Sequence, residues 1–518
     1  MKEITNFQKL AVLGILALLS LGGYLAVSAE IYGLGFPLDD AWIHQVYARN
    51  VAEKGVWRFS GAESSGGSTG PLWSGLIALW YVLGASPLWG TYIFGWLMLW
   101  AVGSAGMLLY RSLFLNEGSR WGDVLAGAAL ILEWHLVWAA GSGMETLLFT
   151  LLVLLVLFLI LRSNPKSWVL TGALIGLSIW VRPGGITLLF VLVYGLVLGR
   201  GSLRQKLRGS GFNLLGFAGF FLPYLGFNFW IAGAAWPNTF FAKQAEYAAL
   251  RQIPLITRIG QLSIQPLTGP VLVLLPGVLL TLIYLIRSRR WTALAGLCWA
   301  GGYLLMYSIR LPVSYQHGRY LIPVIPVLIL FGWGGLMTWI QKSSFKGWRY
   351  VISRAWVGIL ILILGIFWGL GAKAYGRDVG VIETEMVRTA VWIDLNLEDD
   401  AVLGAHDIGA LGYFTENKIV DLAGLVSPDV IPFIRDEKQL ARYLDAQGVD
   451  YLVAFPGWYP ELTAQSLPIY QSGGRFAPQF GSDHLAVYQW HRVKELERGE
   501  PDPVCPTCKR VLYSLMTK

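Results

Sequence analysis

Along this chain the apolar residues neither alternate with polar ones nor keep to a single helical face; they come in solid blocks. The blocks lie at residues 10–29, 71–84, 87–110, 122–140, 144–162, 167–181, 184–199, 211–231, 268–286, 291–309, 320–340 and 355–371. Most have the length that carries an α-helix across the hydrocarbon core of a bilayer, and together they predict a polytopic α-helical membrane protein with about 11–12 transmembrane helices. Several blocks are short or rich in glycine, which closely packed membrane helices tolerate. The first follows Lys2 and Lys9. Val27-Ser28-Ala29 has the form of a signal-peptidase site, but the block is long enough to stay as an anchor.

Between the blocks stand short basic loops, and these set the expected orientation. Arg111/Arg120, Arg162/Lys166, Arg200/Arg204/Lys206/Arg208, Arg287/Arg289/Arg290 and Lys342/Lys346/Arg349/Arg354 should face the cytoplasm, as should the N-terminus. The loops at 30–70, 141–145, 182–185, 232–267 and 310–319, and everything after residue 372, then face outward. Two full crossings within 71–110 would put Arg111 on the wrong side. One crossing plus a half-helix is expected there, which favours eleven spans over twelve.

After residue 372 the pattern turns soluble. Val402 to Ala405, Tyr451 to Phe455 and Leu485 to Trp490 read as short strands, and Glu437 to Gln447 as an amphipathic helix. The expected division is a membrane domain at 1–371, an extracytoplasmic α/β domain at 372–500 and a C-terminal tail at 501–518. Composition agrees: 55% of the 518 residues are hydrophobic, 14% are charged and the mean hydropathy is +0.53. A soluble domain carries about a quarter charged residues. The net charge of +8 lies in the short loops, a topology signal and not a nucleic-acid surface. Three cysteines make no disulfide framework. Cys298, inside an apolar block, reads as a small core hydrophobe; Cys505 and Cys508 read as a tail thiol pair and not as half of a zinc site.

The candidate chemistry gathers in the outward loops. Asp39-Asp40 opens a helix expected from Ala41 to Glu53. Asp40 could simply be its N-cap, but two adjacent carboxylates, partly desolvated, raise one pKa and make a usable general base. Ser64-Ser65-Gly66-Gly67-Ser68-Thr69-Gly70-Pro71-Leu72-Trp73 would let backbone amides approach an anion or a sugar, or serve as a turn. Glu145 heads an apolar block and Arg182 divides two. An ionisable group at membrane depth usually serves a site, although a helix dipole or a snorkelling guanidinium would also account for these two. Lys243, His317 and Arg319 are cations expected on the same side as Asp39 and Asp40. Opposite charges gathered on one face describe a phosphate-and-hydroxyl site.

The motifs have a family pattern. Asp39-Asp40-Ala41 with Tyr47-Ala48-Arg49-Asn50, Gly55, Gly61 and Thr69-Gly70-Pro71-Leu72-Trp73 resembles the first loop of the GT-C glycosyltransferases. The likeness is strongest to the branch that holds the terminal arabinofuranosyltransferases of actinobacterial cell walls. Ser142-Gly143-Met144-Glu145-Thr146, Arg182-Pro183-Gly184-Gly185, Pro237-Asn238-Thr239-Phe240-Phe241-Ala242-Lys243 and Arg319-Tyr320 resemble later motifs of that branch. So does Asp407-Ile408-Gly409-Ala410-Leu411-Gly412-Tyr413, running into Val420-Asp421-Leu422-Ala423-Gly424-Leu425. Gly184 departs from it, since relatives often carry an acidic residue there, and His44 stands where relatives usually have another residue.

The resemblance implies a plasma-membrane enzyme that moves a sugar from a polyprenyl-phosphate donor to an envelope acceptor outside, be it glycan, lipid or protein. It assigns the base to Asp39 or Asp40 without deciding between them. On the chemistry of the residues themselves, the donor phosphate falls to Lys243, Arg319 and Arg182, His317 could orient that phosphate or bridge to a carboxylate, and substrate contacts fall to Glu145, His44, Trp73 and Asn238. Some relatives use a divalent cation and others do not, so Mg2+ or Mn2+ could be held by Asp39 and Asp40. A transporter or flippase of a lipid-linked substrate is the alternative. It would place its charges near the bilayer midplane with an internal repeat, and no repeat is visible. A non-catalytic assembly subunit is a third reading.

Overall fold

The structure is a computed structural model; it describes residues 5–61, 64–114, 121–162, 164–199, 201–342, 347–464 and 466–491. Arg120, Arg200, Lys346, Cys505 and Cys508 lie outside these. Helix α1 (Asn6–Ile31) starts from a capping box in which Thr5 accepts from the Gln8 amide and the Gln8 side chain reaches back. The first loop folds into α2 (Asp40–Lys54), closed by Gly55 in the left-handed conformation that glycine adopts without penalty (φ 64°). Then follow α3 (Pro71–Val82), α4 (Pro87–Phe114), α5 (Gly122–Ile131), α6 (Trp134–Gly141), α7 (Thr146–Arg162), α8 (Trp168–Val181), α9 (Leu188–Leu198) and α10 (Leu203–Ala232). Segment 71–114 is therefore a 12-residue apolar helix followed by a 28-residue one, and only the second has the length and composition of a span.

An amphipathic α11 (Asn238–Glu246) and α12 (Leu255–Leu267) lead into α13 (Pro270–Arg287), α14 (Ala295–Arg310), a single turn α15 (Tyr315–Gly318), α16 (Ile325–Lys342) and the 35-residue α17 (Trp348–Ile382). Among the described residues, seven helices are long and apolar enough to span a membrane, eight if α5 and α6, bent by 54°, count as one. α3, α7 and the stretch 183–198 are shorter apolar helices. The chain is a multi-pass membrane protein.

Helix contacts depend on absent side chains. At Gly172 and Gly216 a Cβ would come within 1.9 and 2.0 Å of a carbonyl oxygen on the facing helix, so α8 and α10 touch backbone to backbone. Large apolar side chains such as Leu19, Val193, Leu214 and Ile361 point outward, as a lipid-facing surface requires. Cys298 is on that surface, not in the core as expected from its apolar block. Its face of α14 is turned away from the bundle.

Beyond α17, a five-stranded sheet forms from β1 (Val402–Ala405), β2 (Lys418–Asp421), β3 (Tyr451–Ala454), β4 (Leu467–Gln471) and β5 (Ala486–Gln489) in the order β2-β1-β3-β5-β4. β1 runs parallel to β2 and β3, while β5 is antiparallel to β3 and β4. The expected helix is there as α20, preceded by α18 (Arg388–Asn396) and α19 (Gly409–Phe414) and spanning Glu437–Gln447, with Asp436 as its N-cap and Leu440 and Leu444 buried. The β1–α19 turn docks on the first loop.

Candidate active site

Asp39 and Asp40 are neighbours whose side chains part. The Asp39 carboxylate accepts the backbone amides of Gly409 at 2.6 Å and Ala410 at 2.8 Å, at the start of α19. A Cβ on Gly409 would lie 2.0 Å from the Asp39 carbonyl oxygen, so only glycine lets the sheet domain come this close. Gly409→Ala is expected to unseat the domain from the first loop and open α19 to exchange. Hydrogen–deuterium exchange over 405–415 checks this; unchanged protection would count against it.

Asp40 turns the other way. Its Oδ2 lies 2.6 Å from Arg319 Nη2 and 3.5 Å from Lys243 Nζ. Chain segments some 200 and 280 residues downstream thus meet the first loop in one ion-pair cluster. Burial pushes the Asp39 carboxyl up to about 6, with the negative charge of Asp40 adding to it against the pull of the two amides. Burial also opposes ionisation at Asp40, but Lys243 and Arg319 overcome it and hold the group well below the usual carboxylate range. Asp407 is pushed up, by burial and then by Asp39 and Asp40. Burial and the charge of Arg435 bring the His406 imidazole down to about 3, so it is neutral.

A second buried chain lies beside this one. Arg182 Nε is 2.5 Å from Glu145 Oε1 and its Nη2 is 2.6 Å from Thr146 Oγ1. His44 Nε2 is 3.2 Å from the other Glu145 oxygen, and His44 Nδ1 is 2.8 Å from Ser74 Oγ. Both members of the Glu145–Arg182 pair are almost fully buried. Glu145→Gln leaves a guanidinium without its counter-charge and is expected to cost about 3–5 kcal/mol. The double variant Glu145→Gln/Arg182→Met should recover much of that in a thermal unfolding series; no recovery would contradict the pairing.

Two cavities meet at Lys243 and Arg319. One, of about 370 Å³, is mainly apolar, walled by Met144, Ile186, Trp236, Phe240, Met306 and Leu311, with Arg182 and Arg310 also on its lining. The other, of about 400 Å³, has a mixed lining rich in ionisable groups and lies against the sheet, with Asp39, Asp40, Glu246, His406, Asp407 and Trp458 on its walls. Arg319 Nε and Nη1 and Arg182 Nη1 are buried with no hydrogen-bond partner among the described residues. Buried guanidinium N–H groups without acceptors are costly, and these belong to two residues that line the apolar cavity. The cluster has the donors for an anion.

The other expected site residues are placed differently. His317 takes the second of its two expected roles, a bridge to a carboxylate: it bonds Asp378 of α17 at 2.7 Å, between Trp134 and Trp138, and does not line the apolar cavity. It and Gln316 have positive φ (56° and 51°), so the turn aims His317 away from Arg319. Trp73 donates its indole N–H to the Gly143 carbonyl at 2.8 Å, a buried brace between the start of α3 and the α6–α7 turn. Asn238 is buried against Gly66. His44 reaches only a small gap beside Asp40. The residues present do not fit a divalent ion between Asp39 and Asp40: one carboxylate is engaged by amides, the other by two cations. No group of three or more metal-ligating side chains occurs among the described residues. Glu246, His406 and Trp458 were not expected in the site; nothing in their local sequence marks them.

Comparison with known proteins bears on the fold. Residues 377–505 match a domain family of unknown function, DUF8728. No curated protein matches the chain. Among solved structures it is similar to an oligosaccharyltransferase of Archaeoglobus fulgidus (13% identity, TM-score 0.59, covering 87% of this chain and 70% of that one). It is also similar to ArnT of Cupriavidus metallidurans bound to undecaprenyl phosphate (16%, 0.55, 92% and 97%). A third is the mycobacterial arabinofuranosyltransferase AftD (17%, 0.51, 88% and 37%). All three are GT-C glycosyltransferases. This chain has the GT-C fold: a helical membrane bundle carrying a small C-terminal sheet.

Proposed function

We propose that the protein is a glycosyltransferase that takes a sugar from a polyprenyl-phosphate donor. The observation that carries this reading is the cation cluster of Lys243, Arg319 and Arg182, with unpartnered guanidinium N–H groups, where an apolar cavity meets an acidic one. The apolar cavity suits an isoprenoid chain, the cations its phosphate, and the acidic cavity a hydroxyl-rich acceptor. ArnT, of similar fold, was solved with undecaprenyl phosphate, which agrees with the proposed donor.

In this reading an acceptor hydroxyl oxygen forms the new bond to the anomeric carbon. The bond from that carbon to the phosphate oxygen breaks, and polyprenyl monophosphate leaves with the electron pair. Arg319 and Lys243 stabilise its charge, so no strong acid is needed. Asp39 is the base that takes the hydroxyl proton: it lines the acidic cavity without pairing to either cation, and burial pushes its carboxyl up to about 6. Asp40 is a positioning residue that holds Arg319 and Lys243. Residues 1–371 form the donor-binding part, and 372–500 add His406, Asp407 and Trp458 to the acceptor side. In this reading the site faces outward, since the positive-inside rule assigns the loops that carry Arg111, Arg162, Arg287 and Arg349 to the cytoplasm.

The test is a reaction in lipid nanodiscs with a synthetic polyprenyl-phosphate sugar and an envelope extract. Release of polyprenyl monophosphate together with labelled acceptor is expected. Movement of the intact lipid across vesicles without release would favour a flippase and overturn this reading.

A further inference from the structure

The far end of the bundle holds a cavity that sugar transfer does not use. α13 and α16 cross on glycines: a Cβ on Gly277 would lie 2.1 Å from the Gly332 carbonyl oxygen, and one on Gly335 2.0 Å from that of Gly277. Past this contact the two helices diverge and the start of α17 closes the third side, leaving a space of about 490 Å³. Trp356 Nε1 on α17 bonds the Val273 carbonyl at 2.9 Å, and Thr281 Oγ1 bonds that of Phe331 at 2.7 Å, so all three walls are tied together.

The lining changes character along its length. Leu280 and Ile283 give an apolar flank facing the membrane; Tyr284, Arg287, Thr338 and Arg349 make the polar end. The Arg349 guanidinium lies over Trp339 and Trp348, 5.8 and 5.5 Å from the ring centres, which holds it at the rim. Between Glu246 and Asp378 the sequence has no acidic residue, so α13, α16 and the first turns of α17 bring no carboxylate to these arginines. Asp123, on the α5 side of α16, is already bridged to Lys9 and Arg111.

We propose that this cavity binds the headgroup of an anionic phospholipid, its phosphodiester between Arg287 and Arg349 and its acyl chains along the Leu280 flank. A basic pocket between membrane helices, with an aromatic rim and an apolar side open to lipid, is complementary to the headgroup and chains of such a lipid. The site is independent of the sugar-transfer reading. It lies against the second half of α13 (Pro270–Arg287) and shares no lining residue with either cavity of the proposed active site.

The test is native mass spectrometry of the full chain with added phosphatidylglycerol or phosphatidylcholine. Wild type should retain phosphatidylglycerol selectively, and Arg287→Gln/Arg349→Gln should lower that retention roughly tenfold or more. Arg289→Gln/Arg290→Gln removes the same charge from the same end but outside the cavity, and should retain the lipid. Arg287→Lys/Arg349→Lys guards against misfolding and should keep most of the binding. Equal loss in both glutamine variants, equal retention of the two lipids by wild type, or displacement by millimolar inorganic phosphate would overturn the proposal.

Discussion

Asp39→Asn is expected to lower kcat by about 10²–10⁴-fold, the usual contribution of a positioned base, while the donor still binds. The variant keeps the size of the side chain but cannot take a proton. It also sets an amide N–H against one of the two backbone donors of Gly409 and Ala410, so its fold should be checked beside its rate. The pH profile is the sharper readout. The base must be ionised to accept a proton, and burial pushes Asp39 up to about 6. Wild-type kcat/KM should therefore fall as pH drops through about 6, well above the range of an exposed aspartate. Asp40→Asn should behave differently: with Arg319 and Lys243 released, the donor KM rises more than kcat falls. If Asp40→Asn removes turnover and Asp39→Asn does not, the two roles are reversed.

Arg319→Met is expected to raise the donor KM by about 10–100-fold, the value of a charged hydrogen bond of roughly 1.5–3 kcal/mol. Arg319 Nη2 already grips Asp40 at 2.6 Å, while its Nε and Nη1 are unpartnered among the described residues. The one guanidinium can thus hold Asp40 and a phosphate together. Arg319→Lys keeps the charge but loses the planar fork, and should recover only part of the affinity. A donor titration by binding, separate from turnover, measures this. Equal donor affinity in wild type and Arg319→Met would remove the cation cluster from the donor site.

Much of this was legible in the sequence, and what was not has a physical reason. Block length located the spans, and the misplacement of Arg111 by two crossings was enough to expect the short α3 beside the long α4. Asp40, Lys243 and Arg319 could be grouped because the basic loops fixed which segments share a side. The parting of Asp39 from Asp40 could not be read, because it depends on amides 370 residues away. Gly409 was visible only as part of a motif. For His317 a phosphate and a carboxylate partner were both open from its position, and a left-handed turn aims it at the carboxylate of Asp378. β2 and β4 escaped notice: they are the two edge strands, four and five residues long, and give too little periodicity. Glu246, His406 and Trp458 reach the acidic cavity through the docking of two domains, which local pattern does not encode.

The most direct test of the central claim is a structure of the protein loaded with a polyprenyl monophosphate. The phosphate should lie about 3 Å from the guanidinium of Arg319 and the amine of Lys243, its chain running into the cavity walled by Phe240 and Met306, and Asp39 open on the far side. A phosphate bound elsewhere, with the Asp40–Arg319–Lys243 cluster unchanged, would contradict it.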